Sequence, residues 1–486
     1  MTTRGKLDNQ DLWVTGNLIG GEWISASGDA LEVDDPFTLE VIAEVPNCGA
    51  EETGRAIEAA SDAFPGWADR TASERGEILH DWYRLIMENR DDLARIMVLE
   101  NGKAWSDATS EVEYGAGFLK FFAQEATRML GEIIPANTPG RRLLATREPV
   151  GVCAAITPWN FPLAMLTRKV GPALAAGCTM VAKPAAATPI TALAFAKLGQ
   201  KAGVPDGVFN IVTGDAKAIG GAMTEAFAVR KLSFTGSTGV GVKLYEQCAA
   251  TMKKTSLELG GNAPFIVFDD ADLETAVESA KTAKFRNSGQ TCIAANRFLV
   301  QAGIHDEFVE AFGKVVGDMQ AGDGFEDSSD IGPLIDKDGK DKVEEHRQNA
   351  LDNGARVVAG GGSGDGRIVH PTLLADVSPD MQISCEETFG PVAAVMKFDT
   401  VDEGIRLAND TEFGLASYFC SRNPATIARV GRELEYGMVG VNTGLISTPH
   451  APFGGVKMSG LGREGSHHGI EEYLHVKYLC EAGLDN

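Results

Sequence analysis

The residue best suited to form and break a covalent bond is Cys292, which stands behind a Gly289-Gln290-Thr291 turn and ahead of an apolar run. A cysteine reacts as its thiolate, so it needs access and a neighbourhood that favours the anion. Turn geometry at Gly289 can expose the sulfur and aim backbone N–H groups at whatever it attacks. Asn160 lies in Pro158-Trp159-Asn160-Phe161-Pro162, where two prolines would fix a side-chain amide as donor to an oxyanion. Glu258 ends an apolar stretch, Leu257-Glu258-Leu259-Gly260-Gly261. Burial raises a carboxylate's pKa and suits it to general-base work. Each has a plainer reading: a core cysteine, a turn residue capping the next helix, a salt-bridged glutamate.

Two further places could hold a ligand. Lys183 ends the strand Val181-Ala182-Lys183-Pro184, and Phe234-Thr235-Gly236-Ser237-Thr238-Gly239-Val240-Gly241 puts glycines and hydroxyls at a strand-to-helix junction. Free N–H groups at a helix N-terminus suit a phosphate. The spacing is not G-x-G-x-x-G, and a turn needing small residues is the alternative.

The elements that must position these residues alternate. Strands are expected at 150–156, 180–183, 208–212 and 230–234. Helices are expected at 162–176, from a Thr188 cap with Pro189 at the first position, at 215–227 and at 238–252. Strands alternating with helices make a parallel, doubly wound sheet, which binds ligands at the carboxyl ends of its strands. A second series runs from Glu258 to about 455, with strands near 265–267, 297–300, 356–358 and 392–396 and helices at 305–319 and 338–353. Ahead of both come helices at 50–64, after the capping box Thr71-Ala72-Ser73-Glu74, at 91–100 and at 105–130. Segments 131–135 and 142–147 read as a ribbon, and the tail at 473–479 alternates like a strand.

A chain of 486 residues exceeds one simple core, and two or three domains are expected. A net charge of −24 argues against nucleic acid or an anionic membrane surface as partner. The eight cysteines form no C-x-x-C pair, so neither zinc nor a thioredoxin-type motif is indicated. The N-terminus carries no apolar h-region, and the longest apolar stretch, near 150–198, is broken by Pro, Arg168, Lys169 and Lys183. A reducing cytoplasm with free thiols is the expected setting.

Taken together, the Asn160, Lys183, Gly236, Glu258 and Cys292 motifs, with Glu387-Thr388-Phe389-Gly390-Pro391 and Pro452-Phe453-Gly454-Gly455, resemble the aldehyde dehydrogenase superfamily over nearly the whole chain. The resemblance implies an α/β fold of two doubly wound domains plus a β-ribbon oligomerisation segment. It divides the chain into an NAD(P)-binding domain (1–126 and 150–257), a catalytic domain (258–455) and a bridging segment (127–149 and 456–486) that builds homodimers or homotetramers. It implies that Cys292 attacks an aldehyde, that the Asn160 amide and the Cys292 N–H hold the oxyanion, and that Glu258 activates water against the thioester. Splitting a reaction through a covalent intermediate is the usual logic of nucleophilic catalysis. It assigns NAD(P)+ contacts to Trp159, Lys183, Ala186, Gly214, Gly236, Ser237, Glu387 and Phe389, and no metal.

Arg168, Arg286 and Ser447 give a closer resemblance to the succinate-semialdehyde dehydrogenase branch, where they hold the substrate's distal carboxylate. Guanidinium forks match oxyanions and stay charged at any working pH. Either arginine could instead be a structural ion-pair partner. Three positions depart from the branch. Ala294 removes a second cysteine and its disulfide switch. Ala186 removes a ribose-binding carboxylate, which admits NADP without excluding NAD. His450 stands near the presumed anion site, where it could serve a larger anion such as a sulfonate or simply face solvent. The expected substrate is a small anionic aldehyde, succinate semialdehyde first, with sulfolactaldehyde or glutarate semialdehyde as alternatives and a non-catalytic homologue as a remote one.

Overall fold

The alternation between residues 150 and 258 folds into the parallel centre of an eight-stranded sheet. The computed structural model describes residues 6–26 and 29–483. In this sheet the strands lie in the order Gly460–Leu461, Lys254–Glu258, Val229–Thr235, Val152–Ile156, Thr179–Lys183, Phe209–Ile211, Asn17–Ile19, Glu22–Ile24. The middle strands pair in parallel, and antiparallel strands close both edges. Val152 and Ala154 pack into one core while Cys153 and Ala155 pack into another, the two-residue alternation of a sheet covered on both faces. Register aligns the functional ends: Ile156 pairs with both Lys183 and Phe234, and Thr235 with Glu258.

The second series forms a seven-stranded sheet in the order Arg356–Gly360, Thr372–Ala375, Val392–Phe398, Ala295–Gln301, Ala263–Val267, Ala416–Cys420, Met438–Val441. It is parallel except at its Arg356–Gly360 edge. Strands 372–375, 416–420 and 438–441 add to the sequence expectation. Apolar runs this short have no decisive period.

A third sheet pairs Leu474–Ala482 with Arg141–Pro149, and that strand with Glu132–Ile134. Gly460–Leu461 completes the larger sheet beside Leu257 and Glu258, and helix Ser466–Glu471 precedes the ribbon strand. Both halves of the Thr71/Glu74 capping box form. Pro189 opens its helix as expected, but the Thr188 hydroxyl donates to Trp159 O (3.3 Å) instead of capping. The cap comes from buried Glu100, which accepts from Ile190 N (2.7 Å) and Thr191 N (2.9 Å). Among the described residues no helix is long and apolar enough to cross a membrane.

Candidate active site

The carboxyl ends of the larger sheet meet loops of the second sheet around a cavity of about 250 Å³. Pro158, Trp159, Asn160, Thr235, Gly236 and Ser237 line it from one side, and Cys292, Lys342, Glu387 and Phe389 from the other. The chain reaches Cys292 through a sharp reversal. Helix Leu273–Phe285 ends, and Asn287 (φ 51°) and Ser288 (φ 58°) take left-handed conformations. Gly289 follows at φ 73°, where a Cβ would lie 2.3 Å from Gly390 O, so glycine is required. Cys292 emerges half-buried rather than sealed in the core. Burial, with the Glu387 charge next, pushes its thiol up to about 12, while Arg168 pulls it down.

Asn160 is placed by hydrogen bonds on both of its ends. Its Nδ2 donates to Gln290 O (3.0 Å), two residues before the nucleophile. Its backbone carbonyl accepts from Asn287 Nδ2 (3.0 Å) and Lys103 Nζ (2.9 Å). Asn160 does not cap the next helix. Leu163 N and Ala164 N are held instead by Glu111 Oε1 at 2.9 and 3.2 Å, and Glu111 is ion-paired with Lys103.

Glu258 is buried, and neither carboxylate oxygen has a hydrogen-bond partner among the described residues. Burial and then the nearby Glu464 charge hold its pKa well above the usual carboxylate range. The two cations that act on it most are engaged by Glu464: Lys169, which also donates to Thr235 Oγ1 at 2.6 Å, and Arg168 at 3.3 Å.

The residues expected to hold NAD(P)+ fit such a group. Ser237 sits at the N-cap of helix Thr238–Ala249 without using its side chain there, leaving a hydroxyl and the helix N–H groups for a phosphate. Gly236 and Gly214 have no room for a side chain: added Cβ atoms would lie 2.5 Å from the Phe234 ring and 2.0 Å from Cys48 O, so the chain itself requires glycine at both. Glu387 accepts from Gly261 N (3.0 Å), and burial raises its pKa to about 7. Phe389 meets Trp159 edge to face at 5.5 Å. Lys183 is buried at its strand end, and Ala186 is exposed in the following loop. Lys342 lines the same cavity and pulls electrostatically on Glu387. Sequence reasoning gave Lys342 no role, because it reads as one more charge on an amphipathic helix.

A second cavity of about 620 Å³ is lined by Tyr114, Arg286 and Ser447, with Asp107, Glu278 and Lys281 among its other walls. Arg286 lies over the Phe161 ring (5.1 Å) and near Tyr114 (5.8 Å). The two arginines differ in setting. Arg168 is buried among Tyr114, Phe118 and Phe453, pairs with Glu464 and donates to the Tyr114 hydroxyl, and its Nε has no partner among the described residues. His450 is exposed, 5.3 Å edge-on to Phe121 and 3.2 Å from Thr448 Oγ1.

The model of the aldehyde dehydrogenase family covers residues 23–479, and the chain belongs to that family. It is an NAD(P)-dependent oxidoreductase. It is similar to the NADP(+) succinate-semialdehyde dehydrogenase GabD of Escherichia coli, 54% identical over 478 residues covering 98% of this chain and 99% of that one. It is also 54% identical to a glutarate-semialdehyde dehydrogenase of Pseudomonas putida, covering 95% and 96% of the two chains. A 3-sulfolactaldehyde dehydrogenase of Pseudomonas putida is 53% identical, with 96% and 97% covered. The crystal structure of succinate-semialdehyde dehydrogenase from Burkholderia pseudomallei superposes with a TM-score of 0.97 at 52% identity, covering 98% of this chain and 100% of that one.

Proposed function

We propose that this enzyme oxidises a short aldehyde with an anionic tail, succinate semialdehyde first, to the carboxylic acid. The observation that carries the reading is Arg286: it lines an open cavity with Ser447, and among the described residues no ion pair engages it. A guanidinium with no carboxylate in direct ion-pair contact keeps its fork free for an anion, and the fork suits a carboxylate.

The chemistry follows from the residues around Cys292. Its sulfur adds to the aldehyde carbon, and the thiol proton leaves. The Asn160 amide and the Cys292 N–H hold the oxygen that becomes anionic. The bound nicotinamide supplies the acceptor for the carbon's hydride. The Cys292 thioester that remains is attacked by water, whose proton Glu258 takes. The acid departs and the thiol is regenerated. Aldehyde, water and oxidised cofactor become carboxylate, reduced cofactor and two protons. Burial of Glu258 without a hydrogen-bond partner is what gives it the basicity for this step.

Arg168, locked to Glu464 and Tyr114, contributes through that framework and through its field on Cys292. The sulfonate reading rests on the Pseudomonas putida relative and on His450, which here contacts Phe121 and Thr448. Comparing kcat/KM for succinate semialdehyde, glutarate semialdehyde and sulfolactaldehyde, with NAD+ and with NADP+, tests the reading. Succinate semialdehyde leading by tenfold or more supports it, and sulfolactaldehyde leading overturns it. We propose further that the enzyme works in the cytoplasm and that the ribbon, with Ile133, Val476 and Tyr478 exposed, pairs subunits into a homodimer or homotetramer. A monomeric mass in solution would rule out the pairing.

A further inference from the structure

Asp107 stands in the first turn of helix Trp105–Glu125 and lines the larger cavity together with Arg286 and Ser447. Its Oδ2 accepts the Asn287 N–H at 2.8 Å. Asn287 is the left-handed residue whose side chain holds Asn160 O and Gln290 O, at 3.0 and 3.2 Å. Asp107 thus joins the wall of the anion cavity to the turn that carries the oxyanion amide. Burial raises its carboxyl pKa, and Arg286 is the foremost charge drawing it back. The other charges lining this cavity are Glu278, Asp327 and Asp330 against Lys281.

We propose that Asp107 is a specificity-determining residue: it shares the Arg286 charge with the substrate's tail, so that the cavity takes a singly charged carboxylate or sulfonate and turns away a phosphate monoester dianion. The proposal rests on the anionic-aldehyde reading and names its charge limit. Specificity of this kind comes from a built-in repulsion as much as from an attraction. Four carboxylates outnumber two cations along this cavity, so only the site beside Arg286 favours a negative charge, and a second charge on the tail meets the excess of carboxylates.

The test is kcat/KM for succinate semialdehyde, sulfolactaldehyde and glyceraldehyde 3-phosphate with the wild type, Asp107→Asn and Asp107→Ala. The asparagine keeps an oxygen to accept from Asn287 N and removes the charge. It should raise the phosphate-to-carboxylate ratio of kcat/KM at least tenfold. The alanine should shift that ratio equally and also lower kcat on all three substrates, because the Asn287 turn loses its anchor. Asp107→Ser, neutral and still able to accept, replaces the amide variant should that one fail to fold. A ratio unchanged between the wild type and the neutral variants overturns the proposal. A wild type that oxidises a neutral four-carbon aldehyde as well as succinate semialdehyde instead overturns the reading beneath it.

Discussion

Lys103→Met should damage both stability and turnover, and its cost can be worked from the structure. The Lys103 and Glu111 side chains are both 0% exposed. The ammonium neutralises Glu111, donates to Asn160 O at 2.9 Å and lies 4.5 Å over the Phe161 ring. Methionine fills similar volume but leaves Glu111 charged in the interior with only Leu163 N and Ala164 N as partners. Removing one member of a buried pair costs about 3–5 kcal/mol. The double variant Lys103→Met/Glu111→Gln removes both charges and keeps a side-chain oxygen for the two backbone N–H groups. It should recover all but about 1–2 kcal/mol, the worth of the hydrogen bond to Asn160 O. Guanidinium unfolding of the wild type, single and double variants measures these differences. Turnover follows the position of Asn160: a displacement of about 1 Å costs about 100-fold in kcat, and the double variant, still missing that hydrogen bond, should regain stability more fully than kcat. A single variant as stable as the wild type, or a double variant no better than the single, refutes the reasoning.

Glu258→Gln should stop the cycle at the thioester, giving one burst of reduced cofactor per subunit and then little turnover in rapid-mixing experiments; steady turnover without a burst contradicts its role as base. The pH profile follows from the raised thiol. With Cys292 pushed up to about 12, the free enzyme holds it protonated near neutrality. Rising pH populates the reactive thiolate, so log kcat/KM should climb with a slope of about one between roughly pH 6 and 9, and a flat or falling profile excludes this assignment. Ala186→Glu places a carboxylate in the loop after Lys183, where it should accept from a bound cofactor's ribose hydroxyls and repel a 2′-phosphate. The KM for NADP+ should rise tenfold or more relative to that for NAD+, and fluorescence titration of the reduced cofactors checks whether binding moves with it.

The parallel sheets and the site loops were legible because each rule involved is local. A short strand that ends in a lysine or runs into a Gly-Ser pair states its own place, and the register that sets Thr235 beside Glu258 follows from parallel pairing. The supports of the site were not legible. Glu111 accepts from Leu163 and Ala164 across more than fifty residues, and Glu464 meets Lys169 across nearly three hundred. One local signal did exist. Glu111 falls on the apolar stripe Ala108–Val112–Gly115–Leu119 of its helix, where a charge must find a buried partner. Lys169, inside a helix buried at every position, carried the same signal. Thr188 misled because a threonine before Pro-Ile-Thr satisfies the capping rule on its own, while Glu100 reaches the same N–H groups from another helix.

The central claim is that Arg286 meets the anionic tail of the substrate. Its most direct test is kcat/KM of the wild type and Arg286→Ala on succinate semialdehyde and on butanal, which has the same chain length and no charge. Loss of a charged hydrogen-bonding partner should lower the value for succinate semialdehyde by about 100-fold and leave butanal within about threefold. Equal losses on both aldehydes would show that Arg286 supports the fold of the Cys292 loop rather than the substrate.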